Sequence, residues 1–217
     1  MKTRINIPRV PTEPVTIEDI KQWQENAEED AMLTGFLVAG EEVSEESFYK
    51  LDASAGRLER CRFLDCDFEK SSFVDVIFEN CDFSNSRFGS AYFGRCEFHH
   101  CKCLGTDFHE AVFKHVRLVE CQMRYANLSG TLFENVHMQQ CDFTEAALRV
   151  VKYKRWDAEG SKFYGTNFFQ TILAGFDFSE NEMGNIIVSD DMKELRGCKI
   201  SPVQAMEVAK LLEIDVV

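Results

Sequence analysis

Cysteine and histidine are the side chains in this sequence whose spacing most suggests chemistry. Residues 99–103 read His-His-Cys-Lys-Cys, and five cysteines recur at intervals of 20 residues. These five are Cys61, Cys81, Cys101, Cys121 and Cys141. Thiolate sulfur and imidazole nitrogen are the donors of tetrahedral zinc sites, and thiols also pair as disulfides. The choice between a metal site, a disulfide ladder and simple core packing depends on where these side chains point in the folded chain.

The element that positions these side chains is a repeat of five residues. From residue 36 to residue 190 the chain divides into 31 fives without a break, and the third residue of most fives is large and apolar. Of the 19 phenylalanines, 16 occupy this third position, the exceptions being Phe36, Phe169 and Phe176. The first residue is small or β-branched, and the last two are polar or glycine. A period of five matches neither a helix nor a strand, so it predicts a chain that turns a corner every five residues.

Four such corners close one square coil of 20 residues, and coils stack at the strand spacing of about 4.8 Å. The repeat region therefore predicts a solenoid of about 7–8 coils, with the third residues stacked along the axis. Phenylalanine suits this position because its ring stacks and carries no polar atom that needs a partner. The pattern resembles the pentapeptide-repeat family. The resemblance implies an all-β solenoid, the right-handed quadrilateral β-helix.

The register also predicts where the cysteines point. The five cysteines of the ladder take the small, inward first position, whereas His99 and His100 point outward. Parallel thiols do not converge on one point as metal ligands must, so we expect free thiols that fill the core, with no metal and no cofactor. The expected structural core comprises Phe63, Phe68, Phe73, Phe78, Phe83, Phe88, Phe93, Phe98, Phe108, Phe113, Cys61, Cys81, Cys101, Cys121 and Cys141.

Charge is distributed unevenly around the predicted rod. The chain has 37 acidic and 24 basic residues, a net charge of −13, which disfavours direct binding to nucleic acid or to an anionic membrane. When successive fives are assigned to four faces, the fourth face is the most acidic and the third is mildly basic. We expect the acidic side to bind a basic partner, and an ordinary solvated surface is the alternative. Its acids are Glu59, Glu79, Glu97, Glu120, Asp157, Glu159, Asp177 and Glu180.

The third face carries an apolar stripe on its outward second positions. It consists of Tyr92, Val112, Leu132 and Ile172, interrupted by Lys152. Aligned exposed apolar residues are typical of a contact site, and packing beneath the N-terminal segment is the alternative.

The repeat is weakest near Trp156, which stands at an inward position that is usually small. Ala158 replaces the large third residue of the same five. We expect the indole to fill the volume that Ala158 leaves, and a loop across residues 146–160 is the alternative.

An open solenoid requires a cap at each end. We expect residues 1–35 to form an arm and a capping helix that begins near Thr16, before the β-helix of residues 36–190. Residues 191–217 contain a helix with a capping box formed by Ser201 and Gln204. This helix is apolar on more than one side, which predicts a homodimer through its uncovered side. The expected interface comprises Val203, Met206, Val208, Leu211, Leu212, Ile214 and Val216.

The sequence is similar to the Qnr-type quinolone-resistance members of the family, which are dimeric acidic rods that mimic DNA. This resemblance implies a non-enzymatic bacterial protein that binds DNA gyrase or topoisomerase IV and modulates quinolone susceptibility. The alternative is a scaffold for an unidentified protein partner, with no topoisomerase role. Two departures are the unbroken phase, where Gram-negative members carry loops, and the additional residues 1–35.

No nucleotide-binding, nucleophile-elbow or zinc-protease motif occurs, so no catalytic residues are expected. The sequence also has no signal peptide and no apolar run that would cross a membrane, which predicts a cytoplasmic protein.

Overall fold

A computed structural model describes residues 5–17, 20, 23 and 31–214. The backbone winds into a β-solenoid of about eight coils, followed by one α-helix. The strands are β1 (Val15–Thr16), β2 (Met32–Thr34), β3 (Phe36–Ala39), β4 (Glu42–Ser44), β5 (Asp52–Glu59), β6 (Arg62–Leu64), β7 (Ser72–Glu79), β8 (Tyr92–Gly94), β9 (Glu97–His99), β10 (Val112–Val119), β11 (Leu132–Gln139), β12 (Lys152–Glu159), β13 (Lys162–Tyr164) and β14 (Glu182–Gly184). A 3₁₀ turn spans Lys193–Leu195, and helix α1 spans Pro202–Leu211.

The strands pair in parallel with partners 20 residues apart, as the five-residue pattern predicts. Phe73 pairs with Phe93, and Phe113 pairs with Phe133. Ten strands form one sheet in the order β1-β3-β5-β7-β8-β10-β11-β12, with β2 and β9 beside this path, while β4 pairs with β6 and β13 with β14. The eight-residue strands run through both the third and the fourth face, so these two faces share one continuous ladder.

Every fifth residue forms a corner. From Gly35 to Gly175 each fifth residue has a positive φ, between 52° and 84°, the region that glycine and asparagine enter at least cost. Many corners are closed by a backbone hydrogen bond of the β-turn type, such as that from the Ser71 N–H to the Phe68 carbonyl (3.2 Å). The left-handed residue thus turns the chain while the next rung of the ladder stays in register.

The third residues line the axis of the solenoid. Phe63 and Phe83 stack with centroids 5.7 Å apart and planes within 7°, and Phe68 and Phe88 stack at 4.8 Å and 3°. Rings on adjacent faces meet edge to face, as Phe83 and Phe88 do at 82°. All the phenylalanines of the expected core are buried. Burying each such ring contributes about 1.5–3 kcal/mol, so this stack is the main source of stability.

The five ladder cysteines are buried free thiols. Each donates its S–H to backbone carbonyls, as the Cys101 Sγ does to the Phe78 carbonyl of the coil before (3.4 Å). The same first position is filled on another face by Cys96, and burial raises the pKa of its thiol to about 12. These sulfur atoms therefore remain protonated and act as small core-filling groups.

Two of the three phenylalanines outside the pattern also belong to the core. Phe36 is buried at a first position because Gly56, one coil later, leaves room for its ring. A Cβ on Gly56 would lie 2.2 Å from that ring. Phe176 is buried one coil after Trp156, with centroids 4.5 Å apart. Phe169 points outward and is half-buried.

The Trp156 region is a regular strand. Strand β12 pairs with β11 along its whole length, so residues 152–159 do not form the loop considered as an alternative. Trp156 is buried against Phe133 and Phe176, and its Nε1–H points at the Met138 sulfur (3.1 Å). Ala158 stays half-exposed, so the indole does not refill all the space at the third position.

The ladder continues beyond residue 190, the predicted end of the solenoid. Asp177 bridges to Lys199, 22 residues away rather than 20, so two extra residues are accommodated in the last coil. Glu194 anchors this insertion: it is fully buried and accepts hydrogen bonds from the Ser189 hydroxyl (2.6 Å) and the Gln170 N–H (2.8 Å). Burial alone would raise the pKa of Glu194, but these hydrogen bonds outweigh it and hold the pKa below its ordinary value.

The N-terminal end is covered by a strand and an indole ring. Strand β1 pairs with β3, which places Thr16 in a strand, and Ile17 is buried after it. Trp23 is buried and stacks on Phe63 at 5.9 Å. The predicted helix falls largely on residues 18–19, 21–22 and 24–30, which lie outside the described residues.

The C-terminal end is covered by α1. Ser201 and Gln204 form the capping box that the sequence predicts. The buried Gln204 side chain also donates to two carbonyls of the last coil, those of Phe178 (2.7 Å) and Asn181 (2.6 Å). This amide satisfies acceptors that the next coil would otherwise have paired.

We expect Phe83→Ala to lower the free energy of unfolding by about 3–5 kcal/mol, because it leaves a cavity in the ring stack. Phe169→Ala should have a much smaller effect, because that ring lies on the surface beside Arg149. Urea denaturation of both variants measures the difference. Equal losses would contradict the assigned register.

Candidate interaction surfaces

The fourth face places its outward acids along a strip between two corners. Glu59, Glu79 and Glu97 lie on strands β5, β7 and β9 and are only partly exposed. Glu120 lies at an exposed corner, and Glu180 is exposed near the C-terminal end. Stacking at 20-residue spacing therefore brings these carboxylates to one side of the rod, but does not leave them all free.

In the N-terminal part of this face, arginine neutralises the acids. Arg57 bonds both Glu59 and Glu79 at 3.0 Å, and Arg60 lies 3.9 Å from Glu59. The bases stand on the same ladder as the acids, one or two residues away or one coil away. This region therefore presents a mixed surface rather than a row of free carboxylates.

Histidine takes the same role in the middle of the face. The His99 ring bonds Glu97 at 2.8 Å, and Arg117 lies 3.8 Å from the same carboxylate. The hydrogen bond to Glu97 raises the pKa of His99, and the same bond lowers the pKa of Glu97. His100 approaches Glu120 at 3.3 Å. Both histidines of the 99–103 segment therefore face carboxylates on the surface, while Cys101 and Cys103 are buried.

The C-terminal part of the face contains a groove, which we call the acidic groove. Its carboxylates are Asp157, Glu159, Asp177 and Glu180, and its bases are His137 and Lys199. Ala158 and Gly175 also line it, and these small residues leave the space. His137 hydrogen-bonds Asp157, and Lys199 lies 3.7 Å from Asp177. Four carboxylates against one lysine and one histidine give this groove the strongest negative charge on the fourth face.

The third face keeps an exposed apolar stripe only in its C-terminal half. Tyr92 and Val112 are half-buried, whereas Leu132 and Ile172 are exposed. A second groove lies here, which we call the third-face groove. It spans two successive coils and is lined by Val150, Lys152, Tyr153, Gln170, Ile172 and Ala174.

The predicted dimer residues divide into two groups around α1. Val203, Met206, Leu212 and Ile214 are exposed. Val208 and Leu211 are half-buried and pack against the core cluster of the solenoid. Val216 lies outside the described residues. The helix thus uses one side as a cap and leaves another uncovered.

Sequence reasoning missed the path of the N-terminal arm. Asn6 reaches His115, its N–H donating to Nδ1 at 3.3 Å, and the Arg9 N–H donates to Asp75 at 3.1 Å. Asp75 is in turn held by Arg95 through two bonds of 2.7 and 2.6 Å. The arm therefore runs along the corner between the third and fourth faces. The signal was present as Asp75, Arg95 and His115 at 20-residue spacing, but nothing local pairs them with residues 6 and 9.

Among residues 5–17, 20, 23 and 31–214, no group of three or more His, Cys, Asp or Glu side chains is arranged to hold a metal ion. Within the same part of the chain, no helix has the length and apolar character needed to cross a bilayer.

Comparison with known proteins identifies the repeat. Residues 71–146 match the family model described as a pentapeptide repeat region. HetL, a pentapeptide repeat protein from the cyanobacterium Nostoc sp. strain PCC 7120 involved in regulating heterocyst differentiation, is 12% identical and has a TM-score of 0.50, covering 85% of this chain and 96% of that one. Full-length QnrB1, a plasmid-mediated fluoroquinolone resistance protein, is 18% identical with a TM-score of 0.40, covering 85% and 99%. No curated protein matches the sequence. At these identities the likeness to HetL shows the fold alone.

We expect the N-terminal arm to detach from the rod in acid. Burial, with help from Lys114, Arg155 and Arg95, lowers the pKa of His115, although Glu134 opposes this. The docked arm therefore favours neutral His115, and protonation also removes the Nδ1 lone pair that accepts from Asn6. Docking should be intact above the ordinary histidine pKa of about 6.5 and weaken as the pH falls below it.

The amide NMR signals of residues 5–9 between about pH 8 and pH 5 measure this release. His115→Leu is the control, because it should leave the arm loose at both pH values. Unchanged signals in the wild-type protein while His115 itself titrates would contradict the expectation.

Proposed function

Because this chain is a pentapeptide-repeat protein, we propose that it is a non-enzymatic rod that binds another protein through its acidic side. Proteins of this family generally serve structural or interaction roles. The solenoid interior is filled by stacked rings and buried thiols, so recognition falls to the outer faces. The observation that carries the proposal is the acidic groove, because it gathers four carboxylates around a recess.

The acidic groove fits a basic segment of a partner. Asp177 and Glu180 are exposed, so lysine or arginine side chains can reach them without displacing a buried group. Ala158 and Gly175 keep the floor open for the aliphatic part of such a side chain. Elsewhere on the fourth face the acids are engaged by Arg57, His99 or His100, which favours recognition at the groove over uniform contact along the rod.

DNA gyrase and topoisomerase IV are the partners to test first. The resemblance to quinolone-resistance proteins suggests them, and a net charge of −13 suits a surface that takes the place of DNA. We place this activity in the cytoplasm, where these enzymes act. The alternative is a scaffold that uses the same groove for a different basic partner.

The groove variant Asp177→Asn with Glu180→Gln tests the topoisomerase assignment. We expect the wild-type protein to inhibit supercoiling by purified gyrase, or to protect the enzyme from ciprofloxacin. The variant should require about five- to tenfold more protein for the same effect, because two rim charges are lost. Glu110→Gln with Glu145→Gln is the matched control, since it removes two exposed acids on other faces.

Three outcomes separate the possibilities. Inhibition that the groove variant weakens and the control preserves supports the proposal. No effect of the wild-type protein on gyrase or topoisomerase IV at micromolar concentration rejects the topoisomerase role and leaves the scaffold. Equal weakening in both variants rejects the groove and implies only a general charge effect.

We also propose that the exposed side of α1 joins two copies. Val203, Met206, Leu212 and Ile214 expose between 42% and 66% of their surface near one end of the rod. Such clustering is unfavourable in water unless a partner covers it, and a two-fold axis lets one patch cover its own copy.

Light scattering after size exclusion should therefore give twice the 25.0 kDa of one chain. Met206→Glu with Leu212→Glu should give a folded monomer, because it introduces repulsive charge into the interface. The control is Ile7→Glu, an exposed apolar residue on the arm. A wild-type monomer at micromolar concentration would contradict the dimer.

A further inference from the structure

The third-face groove lies among basic side chains that lack an acidic partner. Lys152 and Lys154 are exposed and form no ion pair with any carboxylate in the described part of the chain. The neighbouring Glu134 is held by Lys114 at 3.2 Å. Most surface acids and bases on the fourth face are paired, so two unpaired lysines on a protein of net charge −13 form a local exception.

Two further cations border the same groove. Arg155 reaches back to hydrogen-bond the Asn135 side chain, which fixes it at the rim without neutralising it. Arg149 lies over the Phe169 ring at 5.8 Å on the adjoining second face. The groove is therefore edged by positive charge on both sides.

The floor of the groove is apolar and open to solvent. Val150 is 41% exposed and Ile172 is 49% exposed. The Tyr153 ring lies between them in the lining, with its hydroxyl donating to the Ala174 carbonyl at 3.3 Å. Leu132 extends the apolar surface by one coil and is 43% exposed. No described segment of the chain covers these side chains.

Val150 adds evidence from the backbone. It has φ 56° and is the one β-branched residue among the corners from Gly35 to Gly175. A branched side chain is strained in this conformation, and a glycine or asparagine would turn the corner at lower cost. The chain thus keeps a strained, water-exposed valine at the edge of the groove. Such outliers concentrate where a contact uses the side chain.

From this juxtaposition we propose that the third-face groove binds an acidic segment of a partner protein that also carries apolar side chains. The apolar residues of the segment bury Val150 and Ile172, and its carboxylates meet Lys152 and Lys154. Backbone pairing is not the mode of recognition, because the groove residues are already paired within the solenoid, as Lys152 is with Leu132. Side chains alone therefore select the ligand.

Charge favours protein over nucleic acid as the occupant. A phosphate chain long enough to use all four cations would extend over a rod of net charge −13, whose field repels it. A short acidic segment needs only the two coils that line the groove. The proposal concerns a different face from the acidic groove and does not depend on the topoisomerase assignment.

Fluorescence anisotropy with a labelled peptide of about twelve residues, built from Glu, Asp, Leu and Phe, tests the proposal. We expect saturable binding to the wild-type protein. Lys152→Glu with Lys154→Glu should weaken it at least about tenfold, and Ile172→Ser about three- to tenfold. The matched control is Lys102→Glu with Lys162→Glu, which makes the same charge change on the first face and should leave affinity unchanged.

Two further probes separate the contributions. A peptide with Ser in place of Leu and Phe, and one with Lys in place of Glu and Asp, should both bind at least about tenfold more weakly. The proposal is overturned if the acidic apolar peptide fails to bind at about 100 µM, or if the control variant loses as much affinity as the groove variant. Tighter binding of a single-stranded oligonucleotide of equal charge would also overturn it and assign the groove to nucleic acid. Circular dichroism of every variant verifies that the coils are intact.

Discussion

Stacking of the third residue along the axis is the interaction on which the rest of this structure depends. Each ring, such as Phe68 on Phe88 at 4.8 Å, repeats at the same spacing as the parallel backbone ladder. Side-chain packing and backbone pairing therefore support the same register, and a slip in one would break the other. A corner with positive φ at every fifth residue is the local condition for this match.

A core of this kind moves function to the surface. Because the axis is filled by rings and thiols, the chain has no interior space for a substrate, and its chemistry lies in what the four faces present. Stacking places like positions above one another, which would line up like charges if the sequence allowed it. Arg57 between Glu59 and Glu79, and His99 beside Glu97, instead interleave opposite charges on the fourth face. Net charge remains concentrated where this interleaving stops.

The two grooves share a common origin near the weakest part of the repeat. Trp156 brings bulk to a first position, and Ala158 leaves the neighbouring third position half-filled, which opens the acidic groove. One coil later Phe176 replaces a small first residue to pack on Trp156. On the next face, Val150 and Ile172 remain uncovered. Irregularity in the repeat and concentration of exposed functional groups therefore coincide at the C-terminal half of the rod.

The sequence by itself determined the coil, its register, the inward cysteines and the capping box of the C-terminal helix, because each follows from spacing within a few residues or from a strict period. Only the tertiary structure decided the ion pairs between coils, the arm contacts of Asn6 and Arg9, the seating of Phe36 on Gly56, and the insertion held by Glu194. Those features join residues that no period relates, and their geometry depends on side-chain reach across the surface. The charge of each face could be counted from the sequence, but its pairing could not.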